Sequence, residues 1–365
     1  MRICVDLTSL ADNFSGIERF ALSITKELIK NTQHHWILLF KNSIHTEFDE
    51  EAENVEKIII NGGNKLIFNQ LTLPLKLASI KADRYFFPAF PAPFFFFSKN
   101  AYNTIHDLSC WDCPGSNKKY MIWYFKIMYW KASLCHKKII TVSEFSKGRI
   151  CEILKVKPEN VFVVYNGISD QFNDSKLSED EKKLVEEKYS LPQNYVLCLS
   201  TLEPRKNLRL LLDAYASLFD KCLTEEIVLA GRRGWKMEDF LKGYSEEFLR
   251  HVHFTGFVDD DDLPAVYKLA KVFVFPSSYE GFGIPPLEAL ACGTPVISSD
   301  AASMPEILGS EATYFNNSQI SSLIHCIRLF SDEKSKAENR TNGCHIKDTY
   351  SWKKSAKKLL DYLSI

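Results

Sequence analysis

Short apolar runs recur along this chain, and each leads into a polar or glycine-bearing turn followed by an amphipathic stretch. Tyr195-Val-Leu-Cys-Leu199 and Val272-Phe-Val-Phe-Pro276 are typical: too short for buried helices, and without the alternation that marks a half-wet strand. Repetition of this unit leaves little choice of architecture. It folds as a parallel sheet with crossover helices, so the expected class is α/β. Strands are expected at 2–7, 36–41, 55–60, 102–106, 138–142 and 161–164. After a charged stretch at 169–190, read as an exposed connection carrying a helix, a second series follows at 195–199, 226–230, 251–255, 272–275, 295–298 and 312–315. The 365 residues exceed one ordinary core. Two domains are expected, 1–170 with a terminal helix at 350–365, and 171–349. That helix is amphipathic, with Ser351 as N-cap and Trp352, Ala356, Leu359, Leu360 and Leu363 on its apolar face.

Composition removes several classes. A net charge of −1 gives no global attraction to nucleic acid. Ten cysteines lie scattered without framework spacing, several inside predicted strands or helices, which suits reduced thiols in the cytosol. Cys110-Trp-Asp-Cys113 has redox spacing but no second pair to complete a zinc site. Met1-Arg-Ile-Cys-Val-Asp6 reads directly as a first strand rather than a secretory leader. No run is long enough to span a bilayer, and Phe94–Phe97 reads as a buried or interfacial strand end.

In open α/β sheets ligands bind beyond the carboxyl ends of the strands. Several suspicious turns occupy such ends. Tyr279-Glu-Gly-Phe-Gly-Ile-Pro-Pro-Leu-Glu-Ala289 places Glu280 and Glu288 around a glycine-rich loop that opens a helix. A helix start with free N–H groups suits phosphate, and carboxylates suit sugar hydroxyls; the bland alternative is a solvent-facing Glu and a capping one. Thr201-Leu-Glu-Pro-Arg-Lys-Asn207 puts Arg205 and Lys206 before another helix, where they could neutralise a diphosphate. Gly231-Arg-Arg-Gly-Trp235 would let a backbone approach a flat ligand, or is an ordinary turn. The backbone of Gly256-Phe-Val258 could meet a base edge. Ser15-Gly-Ile-Glu-Arg19 follows the first strand without the full dinucleotide glycine pattern. His106-Asp107 ends a strand and is either structural or substrate-facing.

Taken in order, Gly16, His106-Asp107, Ser143-Glu-Phe-Ser146, Asn166-Gly167, Glu203-Pro-Arg-Lys-Asn207, Gly256-Phe257, Glu280 through Glu288 and Asp300-Ala-Ala-Ser-Met-Pro-Glu306 resemble the group 1, family-4 retaining glycosyltransferases. The resemblance spans nearly the whole chain and is strongest to bacterial transferases that build O-antigen and other surface polysaccharides. It implies a GT-B fold: two Rossmann-like, doubly wound domains facing a cleft, with the terminal helix crossing back to the first. It implies that Arg205 and Lys206 hold the donor diphosphate and that Glu280 binds sugar hydroxyls. Phe282, Gly283 and Ile284 would offer backbone N–H groups and Glu288 would bind the ribose. Gly16 would let the first domain close over the phosphates, and His106 would touch the donor sugar near its reacting carbon. Met304 stands where leucine is commoner, a near-isosteric change.

The substrates implied are a nucleotide-sugar donor, mannose or rhamnose foremost, and a lipid-linked or oligosaccharide acceptor. No Asp-x-Asp pair sits in a suitable loop, and Asp259–Asp262 is an acidic run opening a helix, so metal-independent catalysis is expected, with no cofactor beyond the donor. A GT-B epimerase or phosphorylase, or a silent assembly scaffold, would share the architecture. Between Gly115 and Ile150 eight Lys/Arg face one acid, interleaved with Tyr120, Trp123, Tyr124, Phe125, Tyr129 and Trp130. That segment is either a buried helix with snorkelling lysines or a surface helix docking on an anionic inner leaflet.

Overall fold

The computed structural model describes all residues except 11–15, 117, 137, 200–202, 220–224, 232–239, 332–342 and 365. Two compact units emerge: residues 1–167 with 350–365, and residues 168–349. Each is built on a parallel sheet.

In the first unit the strands are β1 (Arg2–Asp6), β2 (His35–Lys41), β3 (Val55–Ile60), β4 (Arg84–Phe87), β5 (Ala101–Thr104), β6 (Ile139–Thr141) and β7 (Val161–Val163). Their order is β3-β2-β1-β4-β5-β6-β7, all neighbours parallel. Burial on both faces explains the continuous apolar runs: Trp36 to Phe40 in β2 are all at 0–1% exposure. β4 is absent from the sequence expectation. Its apolar part is only Tyr85-Phe-Phe87 before Pro88, yet it pairs with β1 and β5 at the centre of the sheet. The order reverses between β1 and β4, which makes their carboxyl ends a topological switch point.

Ser143-Glu-Phe-Ser146, just past β6, is the start of a helix. Ser143 caps the helix Glu144–Leu154, its hydroxyl accepting from the Ser146 N–H at 3.1 Å. Phe94–Phe97 forms no strand. Phe96 is buried, while Phe94, Phe95 and Phe97 are exposed on a loop. Buried Lys131 fixes that loop, its ammonium donating to the carbonyls of Pro93 (3.0 Å) and Phe96 (2.5 Å). Beside it the Asn103 amide donates to His136 Nδ1 at 3.0 Å, and Asn103 Oδ1 accepts from the Ala92 N–H, which fixes the amide's orientation. His136 Nε2 lies 3.3 Å from the Phe96 carbonyl and 3.2 Å from Lys131 Nζ. Burial pushes Lys131 down to about 8, and burial with the Lys131 charge pushes His136 down to about 4.

The terminal helix Trp352–Ser364 belongs to this first unit and packs on the helix Gly16–Ile29. Trp352, Ser355, Ala356, Leu359 and Leu363 are buried. Ser355 replaces the expected Leu360 on the inner face because its hydroxyl reaches the Tyr165 carbonyl at 2.7 Å. The helix is seated over Gly167. A Cβ there would lie 2.3 Å from the Trp352 backbone nitrogen and 2.8 Å from its Cα, and backbone cannot swing aside as a side-chain tip can. Gly167→Ala should therefore lift the start of this helix and cost about 1–3 kcal/mol. A thermal melt of that variant coinciding with wild type would refute this account of the packing.

The second unit contains β8 (Tyr195–Leu199), β9 (Glu226–Ala230), β10 (Val252–Gly256), β11 (Val272–Phe275), β12 (Val296–Ser299) and β13 (Thr313–Phe315), in the order β10-β9-β8-β11-β12-β13. The charged connection resolves into the helix Glu179–Tyr189, closed at its start by a Ser178/Glu181 capping box. Here the order reverses between β8 and β11. The chain leaving β8 runs through 200–207 and the chain leaving β11 through 276–283, so the two loops singled out in the sequence rise from the two strands flanking the switch point.

Candidate functional site

Glu280 is the centre of the second unit's switch point. Pro204–Lys206 forms a single tight turn that ends at Asn207, whose φ of 51° redirects the chain into the helix Leu208–Leu218. The turn presents Arg205 and Lys206 to the β11 loop. Glu280 Oε1 accepts from Lys206 Nζ and from the Ser277 hydroxyl, both at 2.6 Å, and Oε2 accepts from Arg205 Nη1 at 3.0 Å. Arg205 also donates from Nη1 to the Tyr279 carbonyl and from Nε to Glu203, each at 3.2 Å. In return the Arg205 carbonyl accepts from the N–H and hydroxyl of Ser278, both at 2.8 Å. The two loops are thus sewn together by side chain and backbone.

Burial alone would raise the Glu280 carboxyl, but the adjacent Lys206 and Arg205 charges outweigh it and hold the group at about 2. Glu280 is an anion across any working pH. Charges in the cluster balance: Arg205 and Lys206 against Glu280 and Glu203. An incoming dianion must therefore compete with carboxylates already in place for these cations.

Behind Glu280 the loop turns into the helix Ile284–Ala291 at Gly283, whose φ of 91° favours glycine strongly. The space a Cβ would take at Gly283 is filled by Met304, whose Cε would lie 2.4 Å away. Pro285 and Pro286 carry no N–H, so of the expected donors only that of Ile284 lies in the first helical turn. Glu288, in the second turn, is 3% exposed, and one of its oxygens accepts from the Tyr267 hydroxyl at 3.0 Å. Buried Ser303, a residue without an expected role, donates to the carbonyls of Glu280 (3.0 Å) and Phe282 (3.3 Å) and fixes the loop. Ser277 was missed as well. The signal for Ser277 was its place beside a strand end, and that for Ser303 its place within the Asp300–Glu306 motif.

Further along the same sheet, the N–H of Gly231 donates to the Gly256 carbonyl at 2.8 Å, so the turns after β9 and β10 are joined; Val258 next to them is buried. Both glycines have positive φ, 134° and 71°. The rest of that first turn, 232–235, and Thr201, Leu202 and Ser15 lie outside the described residues.

Gly16 and His106 belong to the first unit. Gly16 opens the helix Gly16–Ile29, and Phe20 one turn later packs edge-on against the His106 ring at 5.1 Å. His106 lies two residues past β5, and its Nε2–H donates to the Pro88 carbonyl at 2.9 Å, leaving Nδ1 as the acceptor nitrogen. Burial lowers the imidazole to about 4, so it is neutral near pH 7. The unfolded chain takes up this proton near 6.5, so stability should fall as pH drops from 6.5 toward 4.

Among the described residues no three His, Cys, Asp or Glu side chains gather to hold a metal ion, and no helix is long and apolar enough to cross a membrane.

Comparison with known proteins agrees with this layout. Residues 179–345 match the family described as glycosyl transferases group 1. The chain is 28% identical over 359 residues to the O-antigen chain mannosyltransferase B of Escherichia coli, covering 93% of each protein. It is 31% identical over 224 residues to the serotype-specific mannosyltransferase WbdA of the same organism, covering 60% of this chain and 27% of that one. Among solved structures, HepE of Anabaena in complex with UDP-glucose superposes with a TM-score of 0.74 at 16% identity, covering 100% of this chain and 99% of that one. Two Rossmann-like units with parallel sheets, and neighbours of this kind, make the fold GT-B.

Proposed function

We propose that this chain, a glycosyltransferase of group 1 by its domain at 179–345, moves a mannosyl residue from a nucleotide sugar to a lipid-linked glycan acceptor of a surface polysaccharide. The observation that carries the reading is the Arg205–Lys206–Glu280 cluster at the carboxyl ends of β8 and β11. The names of the O-antigen relatives favour mannose over rhamnose.

Transfer requires the bond between the anomeric carbon and the diphosphate oxygen to break, with the electron pair leaving on the diphosphate. Arg205 and Lys206 supply positive charge where that anion develops, the task a metal ion performs elsewhere, so the reaction runs without one. Glu280, ionised, accepts from donor sugar hydroxyls; Glu288 meets the ribose; backbone at Gly231 and Val258 meets the base. Retention follows from attack on the same face, the acceptor hydroxyl passing its proton to the departing diphosphate oxygen. His106, in the first unit, is neutral with Nδ1 left as acceptor. Melting curves with GDP-, UDP- and dTDP-sugars test this: a saturating donor at 100 times its Kd adds about 2.7 kcal/mol. A mannose-bearing donor should raise Tm, and no shift with any of them would overturn the reading.

The acceptor's lipid gives the first unit a second task, peripheral docking on the inner face of the cell membrane. The helix Lys119–Cys135 is no buried helix: Tyr120, Trp123, Ile127, Trp130 and Leu134 are each at least 50% exposed. Residues 115–136 hold no acid, and Lys118, Lys119 and Lys126 are left to complement an anionic surface, since Lys131 is buried. Exposed Leu66, Ile67, Leu71, Leu75, Phe94, Phe95 and Phe97 lie on segments tied to this helix by Gln70, which bonds Tyr124 and the Phe94 N–H, and by Lys131, which bonds the Pro93 carbonyl. Co-sedimentation with phosphatidylglycerol liposomes is expected at low salt, weaker as salt rises and after Trp123→Ser with Trp130→Ser. Protein remaining in the supernatant at low salt would dispose of the docking role.

A further inference from the structure

The segment Asp300–Glu306 stands out in the sequence, and the donor chemistry leaves it without a task. It continues from β12, whose parallel neighbour β11 leads into the Glu280 loop, so both leave the sheet at the same end. Its backbone is anchored. The Asp300 N–H donates to the Phe315 carbonyl at 3.0 Å, and Asp300 Oδ1 accepts from the Asn317 N–H at 3.2 Å. At the far end the Ile307 N–H donates to the Ser303 carbonyl at 3.0 Å.

Two features of this segment work against local stability. Ala302 holds a φ of 55°, a left-handed conformation that a Cβ disfavours. Ser303 stands at the N-cap of the helix Met304–Leu308, yet its hydroxyl makes no capping bond. A serine there ordinarily accepts from an N–H two or three residues on. This one is fully buried and turned to the neighbouring loop instead, facing the carbonyls of Glu280 at 3.0 Å and Phe282 at 3.3 Å. A strained turn is kept and a cap forgone for the same two contacts.

Those contacts set the direction of the loop's N–H groups. The described residues contain no cis peptide, and in a planar trans peptide the carbonyl and the following N–H point opposite ways. Drawing the Glu280 and Phe282 carbonyls toward one hydroxyl turns the Gly281 and Gly283 N–H groups away from Ser303. Gly283 is buried, and among the described residues nothing accepts from its N–H, a rare condition unless a ligand completes it. A sugar hydroxyl can give its proton to the Glu280 carboxylate and still accept from an N–H, whereas an ionised diphosphate has no proton to give. We propose that Ser303 is a positioning residue for the donor sugar, holding the peptides after Glu280 and Phe282 so that their N–H groups meet the hydroxyls that Glu280 binds. The proposal rests on the reading of Glu280 as the sugar-binding carboxylate. Ser303 acts through the loop backbone rather than by touching the donor.

Calorimetry on the full chain with GDP-mannose against GDP, and UDP-glucose against UDP, reads the sugar's share of binding apart from the diphosphate's. At least one sugar nucleotide should bind wild type. Ser303→Ala should weaken it about tenfold and leave the matching diphosphate within about twofold. Ser303→Cys, of similar size but a weaker donor, should show the same selective loss in smaller measure, so a folding defect in the alanine variant does not close the test. Ser298→Ala is the control. That serine is also fully buried, but its hydroxyl donates to the adjacent Ser299 carbonyl at 3.1 Å, so its loss should lower Tm and change neither affinity. Sugar-nucleotide binding that Ser303→Ala and Ser303→Cys leave intact, an equal loss of sugar nucleotide and diphosphate, or the same selective loss in Ser298→Ala would each overturn the proposal while leaving the donor reading intact. A wild type that binds neither sugar nucleotide shows failure of the donor reading instead, and the role of Ser303 falls with it.

Discussion

Replacing Arg205 and Lys206 together by Ala is expected to lower turnover on the order of 10²- to 10³-fold. In the resting site both cations are held by the Glu280 carboxylate, at 3.0 and 2.6 Å, so they are ordered before a donor arrives and need no rearrangement to meet a developing diphosphate. Their removal also strands Glu280. Burial is the largest influence on that carboxyl and pushes it upward, so without the cations its pKa should rise from about 2. The wild-type pairing contributes stability that is complete above 4.5 and is lost as pH falls toward 2, whereas the double variant should lose it throughout. Recording Tm and kcat on one preparation separates the two effects. A variant that still folds and turns over at the wild-type rate would end the assignment of these residues to the leaving group.

The sequence disclosed the second unit more fully than the first, for a physical reason. In the second unit each expected strand is present within a residue or two, and the Arg205-Lys206 turn and the Glu280 loop do flank one switch point. Glycine, proline and charge leave compact marks at strand ends. In the first unit the central strand β4 was hidden, because three apolar residues before a proline carry too little pattern to separate strand from loop. A pocket at the carboxyl ends of β1 and β4 was hidden for a related reason: its lining is drawn from separate segments that include positions 6–10, 41, 65–73, 89–93 and 124–128, and no local spacing connects them. Lys131 misled in the opposite direction. It counted as surface charge in the basic run, but is buried and spends its protons on the loop carbonyls of Pro93 and Phe96.

Glu280→Gln should divide the two properties that a simple loss of structure would move together. Four side-chain charges balance in the resting cluster, and removing one carboxylate charge leaves an excess of +1 beside Arg205 and Lys206. A nucleoside diphosphate no longer competes with that anion, so its affinity should rise several-fold, by an amount set by the partly exposed site. The Gln amide can still accept at one end, but at the other it presents N–H to a cation and loses a strong charge-assisted acceptor. If Glu280 grips donor hydroxyls as proposed, kcat with the nucleotide sugar should fall about 10²-fold while diphosphate binding tightens. Calorimetry with the diphosphate and kinetics with the donor read the two halves independently. Weakened diphosphate binding alongside lost turnover would mean that Glu280 serves to position the cations, and its proposed contact with the sugar would have to be given up.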